Sequence, residues 1–227
     1  MTTPLQMPPW SYSGLTSFET CPKRYYHIKV AKDAIDNPGE AAKWGSTVHK
    51  YLEDRLRDGT RLPVSVRGYE GLVAPIANAP GEKLVEHQMA VNSSLKPTEW
   101  TSQDAWCRGI VDAGVLSRSL NKAVLLDWKT GKRKADNDQL MLFAGLAFSH
   151  YPELQIVQTG FVWLKENKID KQTFKREDIS TIWMTFLPRV QRMERAYEKA
   201  EFPPNPSGLC RNYCPVPKHK CEFSGKQ

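Results

Sequence analysis

The 227-residue sequence is notable first for what it lacks. No stretch approaches the roughly eighteen apolar residues of a membrane-spanning helix, which excludes such a span. No internal repeat and no long low-complexity tract interrupts it. The start, Met1-Thr2-Thr3-Pro4, has neither a basic cluster nor an apolar run behind it, so no secretory signal is read and a cytoplasmic location is expected. Cysteine is scarce and odd in number: Cys21, Cys107, Cys210, Cys214 and Cys221. Under the reducing conditions of that compartment a disulfide framework is not expected.

What is present describes an ordinary globular chain. Hydrophobic residues make up 40%, enough to form a core without cross-links, and the length favours one domain over two. Lys plus Arg outnumber Asp plus Glu by 32 to 25, for a net charge of +7. Alone this is a weak pointer to a polyanionic partner. The placement says more, because six basic residues between Arg118 and Lys134 surround one acid, Asp127.

The patterning predicts a short helix capped by Ser13, with Leu15 and Phe18 inward. A longer one is expected from Glu40 to Asp58, stopped by Gly59, with Trp44, Val48, Tyr51, Leu52 and Leu56 as its apolar stripe. Strands are expected at 84–91, 106–116, 122–129 and 155–164, the second and third joined as a hairpin near Asn121. Helices are expected from Asp136 to before Pro152 and from about Ser180 to Glu201, the latter kinked or divided at Pro188. The proline-rich tail 203–227 should be irregular. This order implies an α/β fold with a mixed sheet.

Alternation places Asp127 and Lys129 on one face of their strand and Trp128 on the other. From there Asp127 can hold a divalent cation, and Lys129 can steer water or neutralise charge on a phosphate. Asp112, across the hairpin, supplies a second hard oxygen ligand suited to magnesium. His49, one turn after Gly45, adds an imidazole that shifts preference towards manganese. The bland alternatives are a solvated Asp-x-Lys pair and a core-edge histidine. At the C-terminus Cys210, Cys214 and Cys221 crowd into a proline-rich loop, with Cys21 near the other end. Thiolates in that pattern suit an iron–sulfur cluster or zinc, and spacing does not separate the two. His219 is a competing ligand in a zinc site. Cys107 reads as an ordinary buried thiol.

Five stretches together resemble the PD-(D/E)XK nuclease superfamily, in its RecB-like, phage-type exonuclease branch with a four-cysteine iron–sulfur cluster. They are Ser13–Tyr26 with its Cys21, Gly45-Ser46-Thr47-Val48-His49, Gly109-Ile110-Val111-Asp112, Asp127-Trp128-Lys129-Thr130-Gly131 with Gln139 beyond, and the terminal cysteines. In order, they span residues 13–221.

The resemblance implies a restriction-endonuclease-like core, a mixed sheet flanked by helices. The whole chain 1–227 would form one nuclease domain, with 40–201 as catalytic core and 10–30 and 203–227 joined by a four-iron cluster on Cys21, Cys210, Cys214 and Cys221. His49, Asp112 and Asp127, with the Trp128 carbonyl, would bind magnesium or manganese. Lys129 would be the catalytic lysine, and Gln139 would position it or the DNA. Two departures stand out: Phe143 occupies the place of a family tyrosine, and Lys218-His219-Lys220 widens the last cysteine spacing. Glu86 is a further acid near the site, or else an exposed strand residue.

The expected activity is metal-dependent hydrolysis of DNA, by an exonuclease of recombination, repair or replication acting in the cytoplasm, the host's if phage-encoded. Lys132, Arg133 and Lys134 would grip the backbone, and aromatics such as Trp10, Tyr25 and Tyr26 would stack on bases or fill the core. Two other readings keep less: an inactive DNA-binding or docking module of the same fold, and a zinc-stapled structural protein.

Overall fold

The computed structural model describes residues 5–133 and 138–225. Its helices are α1 (Tyr12–Thr20), α2 (Pro22–Tyr25), α3 (Glu40–Asp58), α4 (Glu70–Asn78), α5 (Asp138–His150), α6 (Ile179–Lys199) and α7 (Cys210–Tyr213). Its strands are β1 (Glu82–Asn92), β2 (Pro97–Thr98), β3 (Ala105–Ser117), β4 (Lys122–Lys129), β5 (Ile156–Trp163) and β6 (Lys168–Lys175). The strands form one six-stranded sheet in the order β2-β1-β3-β4-β5-β6. Every pairing is antiparallel except β4 with β5, which are parallel and joined through α5. A parallel step requires such a crossover. The result is a mixed α/β fold, a mixed sheet flanked by helices.

The chain divides into two compact units, Gly39–Met184 and Met1–Pro38 with Thr185–Gln227. In the first, β4 and β5 are largely buried, as strands covered by helices must be. Val48 and Leu52 of α3 pack with Val73 and Ile76 of α4 and with Ala113, Leu126, Trp128 and Val162 of the sheet. Both α3 side chains are fully buried, so Leu52→Ala would cost about 2–5 kcal/mol. Gly59 ends α3 in the left-handed conformation, φ 72°, as expected. Trp44 does not join the inner stripe: it is 39% exposed.

The second unit is held by aromatic side chains. Phe18, Tyr25, Tyr26, Tyr197 and Phe202 meet edge-on or tilted, and the Tyr25 and Tyr197 hydroxyls are 3.0 Å apart. Tyr25 is therefore core and not a base-stacking surface, correcting the expectation for it. Trp10, also buried, packs on Phe186. The cap of α1 is Ser11 rather than Ser13, its Oγ accepting from Gly14 N–H at 3.2 Å.

Other departures from the sequence reading have local causes. Helix α6 is not divided at Pro188. The bond that Pro188 cannot make would fall on the carbonyl of Met184, a residue 63% exposed. The tail is irregular apart from the four-residue α7. The helix α4 and the strands β2 and β6 have no counterpart among the predicted elements. Asp136, the expected start of the helix that ends before Pro152, lies outside the described residues.

Candidate active site

The site is built where the hairpin β3–β4 frays. The ladder between these strands ends at Ala113↔Leu126. One step further the Asp112 side chain replaces the backbone partner: its Oδ2 accepts the Trp128 N–H at 2.8 Å. Asp112 is thereby fixed beside the start of the Asp127–Lys129 segment.

Between β1 and β3 the register skips one pair, with Val85↔Ala113 and His87↔Val111 on either side. The skipped positions are Glu86 and Asp112. Glu86 adopts φ 46°, a left-handed conformation that costs a residue with a Cβ energy and persists where packing over-determines it. Ligand atoms of His49, Glu86 and Asp112 lie within 4.8 Å of one another, the one such group of three or more acids, histidines or cysteines among the described residues.

His49 arrives on α3. Gly45, four residues earlier, is buried, and a Cβ there would sit 2.9 Å from Thr130 Oγ1, so its missing side chain lets the helix lie close to the end of β4. His49 Nε2 is 2.9 Å from the Trp128 carbonyl. In the tautomer that donates to this carbonyl, Nδ1 keeps its lone pair, 3.4 Å from Asp112 Oδ2. Burial lowers the imidazole pKa, which favours the neutral ring a cation needs.

Asp127, Lys129 and Gln139 form a closed triangle. Lys129 Nζ is 2.7 Å from Asp127 Oδ2 and donates to Gln139 Oε1 at 3.0 Å, and Gln139 Nε2 donates to Asp127 Oδ1 at 2.7 Å. Asp127 and Lys129 share a face, as alternation requires, while Trp128 points into the α3-side core. Lys129 also lies over the Phe161 ring, 4.8 Å from its centroid.

These acids resist ionisation in the absence of a cation. Burial, then the charge of Asp127, raises Asp112 to about 8. Burial also raises Asp127, against the opposing pull of Lys129, and raises Glu86, reinforced by Glu53. Buried carboxylates held this close are stabilised in charged form by a bound cation. Glu86 and Asp127 open on a cleft of about 590 Å³ lined also by α3 and the segment Trp128–Gly131.

The structure thus brings together His49, Asp112, Asp127, Trp128, Lys129 and Gln139. It adds Glu86 to His49 and Asp112 more tightly than it adds Asp127, whose two oxygens are held by Lys129 and Gln139. Glu53 also lines the cleft, paired with Lys50 and Arg57 at 3.1 Å each. Its sequence signal was its position one turn past His49 on the same helix face. Phe143 is buried and offers the site no polar group.

The expected backbone-gripping residues separate. Lys132 is exposed. Arg133 forks onto Asp170, which also accepts from Trp163 Nε1 at 2.8 Å. Its guanidinium is committed within the protein, which corrects its assignment as a free phosphate contact. Lys134 lies outside the described residues.

In the other unit Cys21, Cys210, Cys214 and Cys221 line one small cavity with Pro204, Pro206 and Val216, and none forms a disulfide. Backbone N–H groups of Arg24 and Asn205 point at the Cys21 sulfur, each at 3.4 Å, and that of Ser207 at the Cys210 sulfur at 3.3 Å. His219 is exposed and is not among the residues lining the cavity. Cys107 is fully buried, its thiol pKa raised by burial.

A family model described as the PD-(D/E)XK nuclease superfamily matches residues 9–105 and 62–219. No curated protein matches the sequence significantly. Among solved structures, that of a "putative exonuclease" from Eubacterium rectale superposes with a TM-score of 0.55 at 14% identity, covering 91% of this chain and 86% of that one. At that identity the likeness is one of fold. The structure of SSO0001 covers 92% of this chain and 84% of its own at 14% identity, with a TM-score of 0.45 that carries no argument.

Proposed function

The chain belongs to the PD-(D/E)XK nuclease superfamily, and from that premise we propose that it is a metal-dependent deoxyribonuclease acting from DNA ends, an exonuclease of recombination, repair or replication. The observation that carries this reading is the convergence of ligand atoms of His49, Glu86 and Asp112 within 4.8 Å of one another, beside the Asp127–Lys129–Gln139 triangle.

The donor set fits a hard divalent ion: carboxylate oxygens suit magnesium, and one neutral imidazole admits manganese. Such an ion supplies a nucleophilic water near neutral pH and draws charge from the phosphoryl oxygens. His49, Glu86 and Asp112 would hold it, with Asp127 as a further carboxylate shared with Lys129. Trp128 contributes its backbone, fixing His49 through its carbonyl and Asp112 through its N–H. Lys129 neutralises charge gathering on the phosphoryl group, and Gln139 orients both Lys129 and Asp127. Lys132 holds the strand through its backbone, giving salt-sensitive, sequence-independent binding.

In the same proposal the four cysteines hold a four-iron cluster. Their convergence on one cavity, with backbone N–H groups aimed at two of the sulfurs, supports this. Its role is to tie the N-terminal segment to the C-terminal tail.

The deciding experiment is digestion of end-labelled linear and of circular DNA with magnesium or manganese, by the parent and by Asp127→Ala. Loss of linear DNA alone, abolished in the variant, is the expected result. Cutting of circles would replace exonuclease by endonuclease, and equal digestion by both proteins would remove the site assignment.

A further inference from the structure

A second cavity of about 540 Å³ is lined by Arg55, six residues past His49 on α3, and by Gly59, Arg61, Leu62, Arg67 and Glu70, none of which lines the cleft. Three guanidinium groups and one carboxylate give it an excess positive charge. Arg55 accounts for the carboxylate, donating from Nε and Nη2 to Glu70 at 2.7–3.2 Å. Its place in the last turn of α3 is also where a cation favours the helix dipole, so Arg55 needs no ligand to explain it. Arg61 and Arg67 are different. Both are exposed, and neither side chain has a hydrogen-bond or ion-pair partner among the described residues.

The lining is also informative in what it offers a ligand. Guanidinium forks match phosphate oxygens two at a time, and Gly59 leaves open space where a side chain would stand. The lining has no aromatic ring, amide or hydroxyl side chain with which to hold a base or sugar. The cavity therefore suits a phosphate group as part of a backbone rather than a free nucleotide. Along α3, His49 and Arg55 are about 9 Å apart, more than the roughly 3.4 Å per nucleotide of a stacked strand, so the two places would take phosphates of different nucleotides.

We propose that Arg61 and Arg67, beside the Arg55–Glu70 pair, form a second phosphate site that grips the DNA backbone outside the catalytic cleft. This rests on the deoxyribonuclease reading above. The site contributes affinity and no sequence preference.

The test is the salt dependence of binding to fluorescent single-stranded DNA, with calcium in place of the working cation, for the full chain and for Arg61→Ala/Arg67→Ala. Each lost phosphate contact lowers the slope of log K against log salt by about 0.7. The slope should become shallower by about 0.7 to 1.4, according to whether the two arginines share one phosphate or take one each. Affinity at 0.1 M salt should fall about 5- to 25-fold, alike for unrelated sequences. KM for DNA should rise while kcat stays the same. A second variant, Arg61→Lys/Arg67→Lys, should keep most of the slope. If the parent binds and cuts DNA and the alanine variant, folded by circular dichroism, shows the parent's slope and KM, the second site is refuted. If the alanine variant instead loses binding of inorganic phosphate but not of DNA, the cavity is a free-anion site and the proposal again fails. If the parent binds no DNA at all, the failure is that of the deoxyribonuclease reading itself.

Discussion

Asp112 Oδ2 accepts the backbone N–H of Trp128 at 2.8 Å, at the point where β3 and β4 cease to pair as a ladder. One side chain thus completes the hairpin and sits within 4.8 Å of the ligand atoms of His49 and Glu86, and substitutions can separate these roles. Asp112→Asn retains an oxygen for the N–H but loses the anionic ligand. It should keep the parent's circular dichroism and melt within a few degrees of it, while DNA digestion slows at least about a hundredfold, some 2.7 kcal/mol of transition-state stabilisation. Asp112→Ala should in addition lose about 1–3 kcal/mol of stability, because a buried N–H is left unpaired. An alanine variant as stable as the asparagine one would show that the contact holds nothing together.

The triangle of Asp127, Lys129 and Gln139 makes a graded prediction. Lys129→Met removes the ammonium proposed to neutralise the phosphoryl group and should lower kcat about 10²–10³-fold. The increase in melting temperature on adding manganese should survive, since the ligands remain. Gln139→Leu leaves Lys129 and Asp127 in direct contact at 2.7 Å and removes only their shared brace. A loss of about tenfold in kcat with little change in KM is expected. A glutamine variant as slow as the methionine one would move Gln139 from a positioning role to direct contact with the substrate.

Much of this arrangement was legible in the sequence because local rules and the site agree. The bounds of α3 follow from its periodicity and from Gly59, and β4 from the run Lys122–Lys129, so His49, Asp127 and Lys129 fall where the pattern places them. The hairpin turn at Asn121 brings Asp112 alongside. What the sequence concealed depends on contacts made elsewhere. Strand β6 carries only Ile169 and Phe174 as large apolar residues, since an edge strand pairs on one side and needs charge to resist further pairing. Helix α4 has nine residues with Pro75 inside, too short and too broken for a periodic signal. Glu86 looks like any exposed strand acid until its positive φ and the skipped pair turn it towards Asp112. Arg133 reads as a loop cation until β6 supplies Asp170.

Protons and cations should compete at Asp112. Its folded pKa, raised to about 8 by burial and the Asp127 charge, lies above the unfolded value of about 3.9. Its contribution to stability is thus complete below about pH 4 and is lost as pH rises through about 8. Asp127 and Glu86 are shifted in the same direction and add to the trend. The metal-free protein should melt at progressively lower temperature across that window, and added manganese should restore more at pH 8 than at pH 6. Asp112→Asn should flatten both trends. A manganese effect independent of pH, measured by scanning calorimetry, would mean that the ion binds elsewhere.

Close approach of α3 to β4 predicts a steric effect with a built-in rescue. A Cβ on residue 45 would lie 2.9 Å from Thr130 Oγ1, so Gly45→Ala displaces either the Thr130 hydroxyl or the helix, and His49 with it; displacement of the helix is the expected outcome. Misplacement of about 1 Å can cost up to about a hundredfold in rate. Adding Thr130→Ala removes the obstructing oxygen and should recover most of the activity, whereas Thr130→Ser keeps an oxygen and should recover little. If the double alanine variant is as impaired as Gly45→Ala alone, the helix–strand clearance is not what the glycine provides.

The cysteine cavity gives the last prediction, independent of the nuclease assay. Cys21 and the three C-terminal cysteines lie at opposite ends of the chain yet line one cavity, so a centre bound there closes a loop of almost the whole sequence and stabilises by restricting the unfolded chain. Protein purified without oxygen should contain about four iron atoms per chain and absorb visible light, as a thiolate-held four-iron cluster does. Cys221→Ser should lose most of that iron and melt at lower temperature. Cys107→Ser, at a fully buried strand position outside the cavity, should keep the iron although it destabilises the core by placing a hydroxyl there. The two serine variants therefore separate loss of the centre from loss of packing: if both retain iron, or if the parent carries stoichiometric zinc instead, the four thiols hold something other than a cluster.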